Sequence, residues 1–211
     1  MKLRITRQVP CSQRARRSLR WSRNAFLVIG VLALGYSGFV VLDSKLYQAN
    51  QARHFQQQLE SGGSPFASIV PVAYPRATPA AGNALGRIEI ARIGLTAMIM
   101  EGTDGRTLRR AVGHVRGTPM PGQRGNVAIA GHRDTFFRPL RNIQTDDEIT
   151  LTTLGGSYRY LVDSAQVVSP DDTQVLDNSG DTILTLITCY PFYFVGPSPK
   201  RFIVRAHRIP G

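Results

Sequence analysis

Ala25 to Leu42 (AFLVIGVLALGYSGFVVL) is 18 residues without a charge, set directly behind a basic arm. That length is about what a helix needs to cross the hydrocarbon core of a bilayer. A buried core helix of this character would need wrapping on all sides, which the rest of a 211-residue chain is poorly placed to supply. A cleavable signal peptide would have a shorter apolar core closed by an Ala-x-Ala-like site, and Val41-Leu42-Asp43-Ser44-Lys45 offers none. The stretch therefore reads as an uncleaved transmembrane signal anchor over residues 25–42. Residues 1–24 carry Lys2, Arg4, Arg7, Arg14, Arg16, Arg17, Arg20 and Arg23 and no acid. The positive-inside rule makes them a cytoplasmic arm and puts residues 43–211 outside the cell membrane in a single pass.

The charge count follows the same division. The formal net charge is +12, but residues 1–24 supply +8, which leaves +4 for the other 187 residues. An ordinary globular balance in the exported part excludes a nucleic-acid surface. The cysteines divide too, with Cys11 inside and Cys189 outside, so one chain cannot pair them. A lone thiol in an exported domain points to chemistry, since structural cysteines there come in pairs. The bland alternative is a small buried hydrophobe.

Beyond the anchor, residues 43–84 read as an extracytoplasmic stalk and linker. Leu46, Tyr47, Ala52, Phe55 and Leu59 recur at helical spacing over Lys45 to Leu59, with His54 on a solvated face. From Glu60 to Gly86 the composition turns to Gly, Ser, Pro and Ala. Residues 85–211 read as the catalytic domain. Short strands are expected at Arg87–Ile90, Ala97–Met100, Asn126–Ala130, Glu148–Thr153, Tyr158–Val168, Thr182–Thr188 and Phe202–His207, with a brief helix at Thr107–Val112. Many short strands and few helices indicate a mainly β fold, and strand ends that converge on one site favour a closed barrel over a sandwich.

Cys189 stands where the apolar strand Thr182–Thr188 gives way to Tyr190-Pro191-Phe192, the position of a nucleophile presented by a rigid scaffold. A thiol reacts as thiolate and needs a base or a cation nearby. His132 follows the strand Asn126–Ala130 and Gly131, the same strand-to-loop placement. His114 sits in a helix-to-strand connection, a supporting or structural position, and His207 lies at a surface strand end between Arg205 and Arg208. Alternation in Lys200–Arg205 puts Arg201, Ile203 and Arg205 on one face, so Arg201 can lie beside Cys189 across a loop and hold a developing oxyanion. Asp146-Asp147-Glu148 and Asp171-Asp172 read as solvated turns, and no metal or cofactor is indicated.

GRIEI, GTPMPGQRGNVAIAGHRDTFF, the TLxTC box ending at Cys189, and KRFIVRA together resemble the sortases, membrane-anchored cysteine transpeptidases of bacterial envelopes. CYPF and the single anchor resemble the class D branch, while Ala91 departs from a proline common in relatives. The resemblance covers about residues 85–208. It implies an eight-stranded β-barrel and a Cys189, His132, Arg201 site. Cys189 would be the nucleophile that forms the thioacyl intermediate, cutting an LPxTG-like sorting signal after its threonine. His132 would be the proton donor and acceptor, and Arg201 would stabilise the oxyanion or position the substrate. The partners implied are sorting-signal-bearing proteins, an amine acceptor (peptidoglycan precursor or pilin lysine) and the bilayer. Two rivals stand beside this reading. One is another Cys-His enzyme, although an L,D-transpeptidase expects a Ser/Thr-His-Gly-Cys box and a papain-like hydrolase expects Cys before His. The other is a non-catalytic membrane-anchored envelope assembly module.

Overall fold

The computed structural model describes residues 13–61, 79–177, 180–193 and 196–210, with side chains from residue 19 onward. Residues 1–12 of the basic arm and most of the Pro/Gly/Ser-rich stretch lie outside the described residues. The chain forms two compact units, Met1–Asp43 and Ser44–Gly211. The first holds the N-terminal part of helix α1 (Gln13–Ser61), which is long and apolar enough to cross a membrane. Its apolar side chains are exposed, Phe26 at 74% and Leu32 at 66%, as an anchor presented to lipid requires.

The second unit is a closed barrel of eight strands. In chain order they are β1 (Ala84–Ile90), β2 (Leu95–Glu101), β3 (Val112–His114), β4 (Gly125–Ala130), β5 (Glu148–Thr153), β6 (Gly156–Val168), β7 (Thr182–Tyr190) and β8 (Lys200–Ile209). Around the barrel they run β1-β2-β3-β4-β7-β8-β6-β5, with β2–β3 and β4–β7 parallel and every other pair antiparallel. Period-two alternation aims Ile88, Ile90, Val127, Ile129, Ile149, Leu151, Leu184, Leu186, Val204 and Ala206 into one buried core. Truncating one of the larger of these, Leu186 to alanine for instance, costs about 2–5 kcal/mol.

The expected helix Thr107–Val112 begins and ends two residues earlier. It is α2 (Gly105–Arg110), capped by Asp104, whose carboxylate accepts from the Arg106 and Thr107 amides at 2.9 and 3.1 Å. The Thr107 hydroxyl and these amides hold that carboxyl below its usual range. Val112 already belongs to β3, a three-residue strand, which places His114 in a strand rather than a connection.

The C-terminal part of α1 is not a bare stalk. Phe55 is 4% exposed and forms a second cluster with Met98, Met100 and Ala111 on the barrel's outer face, with Tyr47, Ala52, Leu59 and Ala84 around it. Because β3 pairs only with Ile99 to Glu101 of β2, the start of β2 lacks a strand on that side. Gln48 takes the place of one. Its side-chain oxygen accepts from Met98 N at 2.9 Å, and its amide donates to Arg110 O at 2.6 Å. Arg110 covers the Tyr47 ring, 5.2 Å from the centroid. The sequence analysis read the apolar spacing of this segment correctly as helical, but it had no way to see what Phe55 would be buried against.

Candidate active site

Strand directions bring several elements to one end of the barrel. There β1, β4, β6 and β7 finish and β2, β5 and β8 begin. Cys189 is the penultimate residue of β7, half-buried and unbridged. Its cross-strand partner in β8 is Arg201. Residues opposed in this way have Cβ atoms roughly 4.5–5.5 Å apart on the same face. That face is the outer one, since β7 turns Leu184 and Leu186 into the core and β8 turns Val204 and Ala206.

His132 arrives from the other side of β7. The parallel register of β4 and β7 ends at Ala130 with Ile187, and two bonds carry it further. Gly131 N donates to Ile187 O at 3.0 Å, and the buried Thr188 hydroxyl donates to Gly131 O at 2.8 Å. His132 follows Gly131 as Cys189 follows Thr188, one residue past these bonds on each side. The imidazole is exposed, and its own carbonyl closes the following turn by accepting from Phe137 N at 3.1 Å. Cys189 is thus flanked by Arg201 on β8 and by His132 on the continuation of β4. Arg201 Nη1 donates to the carbonyls of Ser198 (3.3 Å) and Lys200 (3.1 Å) at the end of its own loop.

The sequence analysis did not single out Arg133, which is 7% exposed. Its Nη1 donates to Pro191 O (3.0 Å) and Ser198 Oγ (2.6 Å), and its Nη2 donates to Gly196 O (3.2 Å). Ser198 Oγ in turn donates to Tyr190 O at 2.5 Å. One buried guanidinium next to His132 therefore fastens both ends of the β7–β8 loop, with Asp134 Oδ1 accepting from its Nε at 3.1 Å. Its signal in the sequence was its place beside His132, from which alternation turns it inward. On the core side of the same rim Tyr190, Phe192 and Phe202 pack on one another, with centroids 5.2–6.3 Å apart, and close the barrel end.

The acidic turn Asp146-Asp147-Glu148 is met by two arginines. Asp147 pairs with Arg92, and Glu148 accepts from Arg159 Nε at 2.7 Å and Nη2 at 2.8 Å. In each case the arginine's hydrogen bonds hold the carboxyl below its usual range. Among the described residues no three His, Cys, Asp or Glu side chains gather as a metal site.

The Sortase domain family matches residues 88–209, more than half of the chain. The chain belongs to the sortase family, whose members are cysteine transpeptidases. Within that family it is 31% identical to sortase D of Bacillus subtilis (strain 168) over 190 residues, 87% of this chain and 95% of the relative. Among solved structures it resembles a Clostridium perfringens sortase D5 transpeptidase, with TM-score 0.63 and 29% identity over 78% of this chain and 99% of that one. It also resembles a lid mutant of sortase A from Corynebacterium diphtheriae, with TM-score 0.58 and 30% identity over 75% of this chain and 95% of that one.

Proposed function

We propose that the protein is a membrane-anchored sortase that cuts an LPxTG-like sorting signal after its threonine and joins the freed carbonyl to an amine of the cell envelope or a pilin. The observation that carries this reading is the rung Cys189–Arg201, with His132 one residue beyond the Gly131–Ile187 bond that extends the neighbouring strand. As thiolate, Cys189 adds to the threonine carbonyl carbon. The oxygen of that carbonyl gains a negative charge, and the guanidinium of Arg201 supplies N–H donors to it. Collapse breaks the C–N bond, His132 gives the leaving amine its proton, and a thioester remains on Cys189. The acceptor amine then attacks the thioester, His132 takes up its proton, and Cys189 departs as thiolate.

The apolar part of α1 is consistent with a single-pass anchor, and the basic arm sets residues 1–24 in the cytoplasm and the barrel outside. The test uses the full chain in detergent micelles with LPxTG- and LPxTA-like peptides, with and without an amine, and mass spectrometry of the products. The expected result is an acceptor-dependent conjugate and a thioacyl enzyme, both lost in Cys189→Ala. If no peptide is cleaved or trapped, and envelope assembly in cells is unchanged by Cys189→Ala, the protein is an assembly module whose cysteine is inert.

A further inference from the structure

The barrel end that carries Cys189 also carries a cavity of about 630 Å³, lined by Arg92, Ile93, Arg141, Asn142, Ile143 and Gln144. Two 3-10 turns build it: Ala91–Ile93 between β1 and β2, and Arg138–Asn142, which begins six residues after His132. Its base is pinned. Arg92 pairs with Asp147 and donates from Nη2 to Asn142 O at 2.6 Å, and Asp147 Oδ2 accepts from Gln144 N at 2.8 Å.

The charge of Arg92 is therefore answered by Asp147, but that of Arg141 is not. Among the described residues the Arg141 guanidinium meets no carboxylate. Its Nη1 donates to the Tyr193 hydroxyl at 2.5 Å, and its central carbon lies 5.6 Å from the ring centroid. Tyr193 is 77% exposed and comes four residues after Cys189. A guanidinium offers five N–H donors in a planar fork, so most of those on Arg141 stay open beside the cavity. A cation with open donors at the mouth of a polar cavity takes an oxyanion, bidentately if it is planar.

Position selects which one. The acyl donor has to lie across the outer face that bears Cys189 and Arg201. The cavity instead opens at the barrel end, walled by the segment that follows His132 and touched by the loop that follows Cys189. A second substrate must reach the thioester without displacing the acyl chain, so it needs a different approach, and this end provides one. We propose that the cavity beside Arg141 and Tyr193 binds a carboxylate carried by the amine acceptor and so selects among amines. This rests on the acyl-transfer reading above.

The experiment compares glycylglycine with glycylglycinamide as acceptors for the full chain in micelles, by single-turnover aminolysis of the thioacyl enzyme and by direct titration of the unacylated protein. The free acid is expected to be preferred by about tenfold, the scale of one charge-assisted contact. In Arg141→Met that preference should fall toward parity through the acceptor KM, while Arg141→Lys keeps part of it and the rate of thioacylation by donor peptide stays unmoved. Tyr193→Phe should weaken the preference. Equal use of acid and amide by the wild type, or a preference that survives Arg141→Met, overturns the proposal. So does inorganic phosphate competing as well as the carboxylate, which would make this a general oxyanion site. If no thioacyl enzyme forms, the earlier reading fails separately. The titration then still decides this one, through tighter binding of the acid that Arg141→Met removes.

Discussion

The chain contains Gly-His twice, at Gly113-His114 and Gly131-His132, on neighbouring strands where Gly113 pairs with Ala130. Both glycines answer close approach. A Cβ on Gly113 would stand 2.2 Å from the Gly102 carbonyl oxygen, and one on Gly131 would stand 2.8 Å from the Phe137 ring. The histidines then part. His114 shares the inward face of Val112 and is 1% exposed. Its Nδ1 is 2.8 Å from Glu101 Oε2, and its Nε2 is 2.9 Å from Pro119 O and 3.1 Å from Thr118 Oγ1. Pro119 O only accepts, and the Thr118 proton is spent on Val115 O at 2.7 Å, so Nε2 carries hydrogen by assignment from its partners. Glu101 also has Arg116 Nε 3.6 Å from its other oxygen. His132 is exposed, and among the described residues its ring has no hydrogen-bond partner. One histidine is held at both ring nitrogens, and the other is open to solvent. In a β-protein, the side of the strand on which a histidine falls decides which of these it becomes.

Removing the exposed chemistry should produce the largest effect. Cys189→Ala, or alkylation of the wild type, is expected to abolish acyl transfer while shifting stability by no more than about 0.5 kcal/mol. His132→Ala should cost about 10²–10⁴ in rate with the same small effect on melting. Activity kept in either variant would break the contrast at once. Arg201→Ala comes next, expected to lower the rate about 10²–10³-fold with an unchanged unfolding midpoint; a mild loss would make Arg201 a surface residue.

His114→Ala should do the opposite. It strips the buried carboxylate of its hydrogen-bond partner, leaving Arg116 Nε at 3.6 Å, and is expected to destabilise by about 3–5 kcal/mol in denaturant melts, with normal turnover per folded molecule. Glu101→Gln sharpens the point, because the new amide can donate to Nδ1 and restore a neutral, bonded pair. Its cost should stay near 1 kcal/mol. A loss as large as that of His114→Ala would show that the pair needs the carboxylate itself. The smallest effect concerns Asp147. Arg92 holds its carboxyl below the usual range, so the stabilisation is present above the unfolded-state value and is lost as pH falls through the folded one. The stability gap between wild type and Asp147→Asn should therefore shrink on acidification; a constant gap would exclude the linkage.

The positions of Cys189, His132 and Arg201 at strand ends were legible because the first two follow the stop of an apolar run and the third precedes the start of one. β3 was not legible. Three residues carry no period, and Val112–His114 is a strand only through partners in β2 and β4. Arg133 was hidden for a related reason. A charged residue in a loop reads as solvated until carbonyls from a distant loop surround it. Gln48 is the extreme case, a polar residue on a helix whose partners, Met98 N and Arg110 O, lie about 50 and 62 positions away.

The docked segment of α1 changes what the Pro/Gly/Ser-rich stretch means. Leu59, just before it, and Ala84, near its end, rest on the same cluster of Phe55, Met98, Met100 and Ala111. The two described ends of the stretch therefore share one surface. Doubling the stretch would cost roughly 0.6 kcal/mol in closure entropy and would leave the barrel where Gln48 and Phe55 hold it.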